Sequence, residues 1–130
     1  MKTILISGAT SGIGLAAARK LANDKNKLIL CGRRQNKLDE ISKELSEISN
    51  VLSLRFDVSD KKEVSKVFEN LPQEFKSVDI LINNAGNAHG LDTIQDGSIE
   101  DWDNMIDSNV KGLLYVSRVI IPKMIEKQSG

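Results

Sequence analysis

Thr3-Ile4-Leu5-Ile6-Ser7-Gly8-Ala9-Thr10-Ser11-Gly12-Ile13-Gly14 decides how the rest of the chain reads. Thr3 to Ser7 is a short apolar run closed by glycine, which predicts a buried parallel strand. Ile13 to Asn23 reads as a helix, with Ala16, Ala17 and Ala18 supplying high propensity and a slim packing face. Between them the glycines are spaced Gly-x-x-x-Gly-x-Gly, so the chain must turn sharply from strand into helix. This is not the commonest Gly-x-Gly-x-x-Gly spacing, and no Gly-Lys-Ser/Thr follows to make a phosphate loop of the Walker type.

The same alternation continues. Lys27 to Cys31 is a second apolar strand, and Asn36 to Ile48 is helical by the spacing of Leu38, Ile41, Leu45 and Ile48. Val51 to Phe56 is a third strand. Asp60-x-x-Glu63 reads as a capping box opening a helix with Val64, Val67, Phe68 and Leu71 on its apolar face, and Pro72 marks its end. Val78 to Ile82 is a fourth strand, followed by a glycine-containing loop over Asn83 to Gly97. Ser98-x-x-Asp101 opens a short helix with Ile99, Trp102, Met105 and Ile106, Trp102 being its core anchor. Asn109 to Lys127 is a long helix that Pro122 is expected to kink. Strands alternating with helices imply right-handed crossovers and a parallel sheet. The fold class is therefore α/β, a parallel sheet of about four strands with their helices.

Composition narrows the partners. Lys and Arg number 18 and Asp and Glu 18 among 130 residues, so net charge gives no support for nucleic acid or an anionic membrane as main partner. No apolar run approaches the ~20 residues of a membrane span, and the first residues lead straight into a strand rather than a signal peptide. Cys31 is the one cysteine, which excludes an internal disulfide and fits a reducing, cytoplasmic location. Its apolar flanks suggest a buried strand end without a reactive role. No Cys/His cluster suggests a metal.

The glycine turn supplies a place for a dinucleotide pyrophosphate. Gly8 lets the chain leave the strand, Gly12 offers no Cβ to an approaching phosphate, and Gly14 lets the helix pack closely. Backbone N–H groups of Thr10, Ser11, Ile13 and their neighbours then face the anion at a helix N-terminus. The second strand ends in Gly32-Arg33-Arg34. An acid there would bind a ribose 2′-hydroxyl and favour NAD; a guanidinium binds a 2′-phosphate and stacks on adenine, so the pattern favours NADP over NAD. Arg33 is the stronger candidate, and Arg34 reads equally as a solvated loop residue.

Gly8 to Gly14, then Asp57-Val58, then Asn83-Asn84-Ala85-Gly86, then Asn109-Val110-Lys111-Gly112 stand in an order that resembles the short-chain dehydrogenase/reductase family over essentially the whole chain. Ser7 stands where many members have threonine. The resemblance implies a Rossmann-type doubly wound parallel sheet, of which these residues are the N-terminal part, and an oxidoreductase moving hydride between NADP(H) and a small alcohol or carbonyl substrate. It implies that Asp57 and Val58 line the adenine pocket, Asp57 by hydrogen bonding. It implies that Asn83, Ala85 and Gly86 run past the nicotinamide-side ribose, and that Asn109 supports a catalytic proton relay through water. Without the resemblance, Asp57 is a strand end, Asn83 to Gly86 an ordinary turn and Asn109 a helix cap. The stretch Met105 to Tyr115 looks most like the branch acting on 3-hydroxy acids, serine or allo-threonine.

The family's serine and its Tyr-x-x-x-Lys pair, in which a cation tunes a phenol as general acid/base, do not occur in these 130 residues. Tyr115 is the one tyrosine, with Val119 four residues on; Lys111 lies four before it, the wrong order, so Tyr115 reads as packing or interface. His89 lies in the loop after Gly86 with no evident partner. The expectation is a cofactor-binding half, truncated before the catalytic Ser and Tyr-x-x-x-Lys and inactive alone, with the fourth strand an exposed sheet edge. The resemblance implies a homodimer or homotetramer for the full-length protein. The alternative is a non-catalytic dinucleotide-binding module that senses or scaffolds.

Overall fold

The computed structural model describes Met1 to Gly130. Four parallel strands, β1 (Lys2–Ser7), β2 (Asn26–Gly32), β3 (Asn50–Arg55) and β4 (Ile80–Ile82), lie in the order β3-β2-β1-β4. In register, Ile4 stands beside Leu28 on one side and Ile80 on the other. The order reverses at β1, so the carboxyl ends of β1 and β4 open a crevice where a doubly wound sheet takes its ligand.

Alternation along the strands builds two core layers. Leu5, Ile29 and Cys31 face α3 (Lys61–Glu69) and α5 (Gly112–Glu126), packing with Val64, Phe68, Val116 and Ile120. Ile4, Ile6, Leu28 and Leu30 face α1 (Gly12–Leu21) and α2 (Gln35–Leu45), packing with Ala18, Leu38, Ile41 and Leu45. Cys31 is fully buried among apolar groups, which pushes its thiol pKa up and leaves it a packing residue. β4 pairs only with β1 and is an edge of this sheet, with Ile80 exposed.

Several expectations need correction. α2 ends at Leu45, and Ile48, beyond it in a turn, is exposed rather than part of the buried face. Asp60 does cap α3, accepting from the Lys62 and Glu63 N–H groups, but Glu63 does not close the box. Its carboxylate accepts from the Asp57 N–H at 2.9 Å instead. The two expected carboxyl-terminal helices are one: α4 (Ile99–Ile106) runs through a π-helical turn, Asp107–Lys111, directly into α5. Asn109 therefore sits inside a helix and is not a cap. As expected, the helix runs on through Pro122, to Glu126. Trp102 is no core anchor: α4 buries no residue, and the indole, 37% exposed, lies under Gly97.

Candidate functional site

β1 ends at Ser7, and the chain turns at Gly8 with φ +66°. A Cβ on Gly8 would lie 2.8 Å from the Ala85 Cα, so the β1 and β4 ends meet at backbone distance. Asn84 locks the junction. Its Nδ2 donates to the Ser7 and Gly8 carbonyls at 3.2 and 3.0 Å, while the Ser7 hydroxyl accepts from the Asn84 and Ala85 N–H groups, both at 3.0 Å. A Cβ on Gly14 would run into the Gly8 carbonyl oxygen and the Asn84 amide. The close approach that Gly14 permits is thus onto this junction, not onto the face of the sheet.

Above the junction lies a cleft of about 340 Å³. Gly8, Thr10, Ser11, Gly12, Ile13, Arg33, Arg34, Asp57, Val58, Ala85 and Gly86 come together around it. Gly12 takes φ +55° and a Cβ there would meet nothing within 4 Å, so its left-handed turn leaves open space on the cleft side. Ser11, at the amino end of α1, makes no side-chain cap bond, whereas Asp60 and Ser98 cap α3 and α4. The first-turn N–H groups of α1 are therefore free for an anion.

One end of the cleft is basic. Arg34 donates from Nη2 to the Thr10 hydroxyl at 3.0 Å, so it is no loose loop residue. Arg33 reaches Asp57 at 3.9 Å, while Asp57 also accepts from the N–H and hydroxyl of Ser59 at 2.9 and 2.8 Å. Val58 packs under the start of α5, where a Cβ on Gly112 would lie 2.6 Å from its methyl.

Three expected site residues stand outside the lining. Gly14 is beneath the turn. Asn83 points away from the cleft, donating to the Ser117 hydroxyl of α5 at 2.9 Å, because it ends a strand whose next residue turns toward β1. Asn109 acts one step back: its carboxamide accepts from the Asn87 N–H and donates to the Asn87 carbonyl, both at 2.7 Å, and its oxygen would lie 2.9 Å from a Cβ on Gly86. The π turn places that side chain against the loop after β4. Lys111 pairs with Asp107 at 2.8 Å, which raises its pKa, and makes no hydrogen bond to Tyr115; Tyr115 packs on the core. His89 is exposed in the loop.

Cys31, Gly32, Phe56, Asn84, Asn87 and Ser108 also line the cleft. The strand-end positions of Gly32 and Phe56 were a usable signal, since cleft residues follow strands. Ser108 was hidden by reading a helix start at Asn109. Asn87 carries a buried Oδ1 without a partner, as does Asn83.

The family model for short chain dehydrogenases matches residues 2–130. The chain belongs to the short-chain dehydrogenase family. It is 39% identical over 127 residues to the NADP-dependent 3-hydroxy acid dehydrogenase YdfG of Salmonella typhi, covering 98% of this chain and 50% of the relative. With the NADP-dependent 3-hydroxy acid dehydrogenase of Schizosaccharomyces pombe it shares 47% over 133 residues, 99% of this chain and 51% of that protein. The closed form of serine dehydrogenase complexed with NADP+ superposes with a TM-score of 0.93 at 38% identity, covering 98% of this chain and 51% of that one. The chain thus spans about half the length of the curated relatives it matches. The sequence-level resemblance, including its 3-hydroxy acid and serine branch, agrees with these matches, and the doubly wound fold agrees with the structural one. No helix is long and apolar enough to cross a membrane, and no three His, Cys, Asp or Glu side chains converge as for a metal ion.

Proposed function

We propose that the cleft binds NADP(H) and that the protein moves hydride between it and the alcohol or carbonyl carbon of a small 3-hydroxy or 3-oxo acid. The observation that carries this is the uncapped amino end of α1, opening onto the same cleft as Arg33 and Arg34. The free N–H groups and the open side of Gly12 suit the pyrophosphate. Arg33 and Arg34 suit the 2′-phosphate, Asp57 and Val58 the adenine, and Ala85 and Gly86 the nicotinamide-side ribose. Gly8 and Gly14 let the turn close, and Asn83 ties the β4 end to α5. Asn109 holds the loop bearing Asn87 in place, the position from which a proton relay would be supported.

When bound, NADP(H) supplies or accepts the hydride; these 130 residues bind and orient it. Names of relatives support the 3-hydroxy acid class. The exposed apolar residues Leu113, Leu114, Ile121 and Ile125 on α5 fit a homodimer or homotetramer, and the buried, unpaired Cys31 fits a cytoplasmic setting.

The test is titration of the protein as the cell makes it with NADPH and NADH, followed by NADP+ reduction on 3-hydroxy acids. NADPH binding at least about tenfold tighter than NADH is expected, since one charge-assisted contact carries that much. Equal affinities would remove Arg33 and Arg34 from the reading. Tight NADPH binding with no turnover on any alcohol or carbonyl would leave a non-catalytic binding module.

A further inference from the structure

Asp96 is the one aspartate or asparagine of the chain that stands directly before a glycine, Gly97. The pair lies in the loop between β4 and α4, and Asp96 is exposed. A turn fixes Asp96: its N–H donates to the Thr93 carbonyl at 3.0 Å, and its Oδ2 accepts from the Thr93 hydroxyl at 3.0 Å. The next main-chain group is free. The Gly97 N–H donates to no protein group, and the Asp96 Oδ1 accepts from none. Beyond it the chain is closely placed again. A Cβ on Gly97 would run into the Trp102 ring, and Ser98 caps α4 by accepting from the Asp101 N–H at 3.3 Å.

A carboxyl on one residue and the nitrogen of the next are spaced to close a five-membered ring. A side chain on the following residue shields that nitrogen, and a hydrogen bond in a helix or strand holds its proton away. Neither protection exists at Gly97. Asp92, exposed in the same loop, is followed by the β-branched Thr93, so its neighbouring nitrogen is shielded.

We propose that Asp96–Gly97 is a site of spontaneous modification in the folded protein, where aspartate becomes isoaspartate through a cyclic imide. The Gly97 nitrogen bonds to the Asp96 Cγ, and the Cγ–OH bond of the acid form breaks. That hydroxyl and the Gly97 N–H proton leave as one water. A second water then opens the imide. Breaking the bond from nitrogen to Cγ restores aspartate. Breaking the bond from nitrogen to the main-chain carbonyl carbon leaves a chain that runs through Cβ and Cγ. No atom is gained, and nothing is oxidised or reduced. The product carries one extra methylene in its main chain at the entrance to α4, and the former main-chain carbonyl becomes its free carboxylate. Gly97 cannot then keep its place under Trp102, nor Ser98 its cap, so the first turn of α4 opens more often.

The protein as the cell makes it is aged in its folded form and, in parallel, in urea. It is then cut and mapped by electron-transfer fragmentation, which separates isoaspartate from aspartate at equal mass. Isoaspartate is expected at Asp96 and not at Asp92. Its rate in the folded protein should lie within about tenfold of that in urea, because no hydrogen bond has to open first. Asp96→Glu keeps the carboxylate but would need a six-membered ring, and should leave the site unmodified. In the isoaspartyl peptide, resolved by its retention, the Asp101 and Trp102 N–H groups should exchange about fivefold faster, as loss of a cap implies. No isoaspartate at Asp96 would overturn the proposal, and so would equal amounts at Asp92. A folded rate more than about tenfold below that in urea would also overturn it, since reaction through the unfolded chain alone is slowed by about a thousandfold or more. Unchanged exchange at Asp101 and Trp102 would overturn the link to α4.

Discussion

The two ends of the sheet are tied by different chemistry. At the carboxyl end, β1 and β4 are joined by neutral hydrogen bonds and bare backbone: Asn84 on the Ser7 and Gly8 carbonyls, the Ser7 hydroxyl on two N–H groups, and glycines where no Cβ fits. At the amino end the same two strands are joined by charge. Lys127 donates to the Val78 carbonyl at 2.7 Å, to Asp79 at 2.8 Å and to the Ser77 hydroxyl at 3.3 Å. The other Asp79 oxygen accepts the Thr3 N–H at 2.8 Å. The difference follows from what each end must do. A carboxylate in the turn would repel a bound anion, so the cleft end is closed with dipoles, which leave the field of the α1 terminus and the arginines intact. The far end has no such restriction.

The largest expected effect comes from crowding the neutral end. Gly14→Ala places a methyl against the Gly8 carbonyl and the Asn84 amide, and either backbone or Asn84 must move. A loss of about 3 kcal/mol in denaturant unfolding is expected, together with loss of nucleotide binding. A variant of normal stability would show that the junction is looser than its contacts suggest. Next is Asn84→Asp, which keeps the shape but sets an acceptor against two carbonyl oxygens, for a loss of about 2 kcal/mol. At the charged end, Lys127→Met should cost only about 1 kcal/mol, since the pair is partly solvated, and should leave nucleotide affinity unchanged. If Lys127→Met cost more than Asn84→Asp, the ranking of the two ends would be reversed.

How far the sequence reached follows the same division. The four strands, their alternation with helices and the glycine turn were legible, because apolar runs and φ-permissive residues act locally. Asp57, Val58 and the arginines were legible because they stand where strands end. Asn84 was visible only as part of a tetrad, since its partners lie 76 and 77 residues away. The joining of α4 to α5 was missed because a π turn has no periodic signature, and with it the reason Asn109 lies against the loop. Trp102 was misread because aromatic character predicts burial only where another element covers it, and α4 carries no such cover.

The smallest effect is one of pH. Burial works against ionisation of Asp79, but the hydrogen bond from Lys127, the Thr3 N–H and the charges of Lys127 and Lys2 outweigh it, and hold the carboxyl below its ordinary range. A carboxyl depressed in the folded state binds fewer protons there than in the unfolded chain, so stability rises with pH across that interval. The contribution is complete above the ordinary carboxylate value of about 3.9 and is lost as pH falls through the folded value. Asp79→Asn should therefore lose a little stability at pH 6 and flatten the acid limb of the unfolding curve. The carboxyl introduced by Asn84→Asp should be shifted the opposite way from that of Asp79. Facing the Ser7 and Gly8 carbonyls, it is held above the ordinary value; in its protonated form it can still donate to one of them. Its cost should thus grow as pH rises from the ordinary value to that raised one, an interval above the one in which Asp79 adds its stability. Both exchanges cost more as pH rises, but in intervals on either side of the ordinary carboxylate value, below it for Asp79→Asn and above it for Asn84→Asp, and that separation distinguishes a junction closed by charge from one closed by dipoles. Costs that grow over one and the same interval would mean that the two ends share one electrostatic environment.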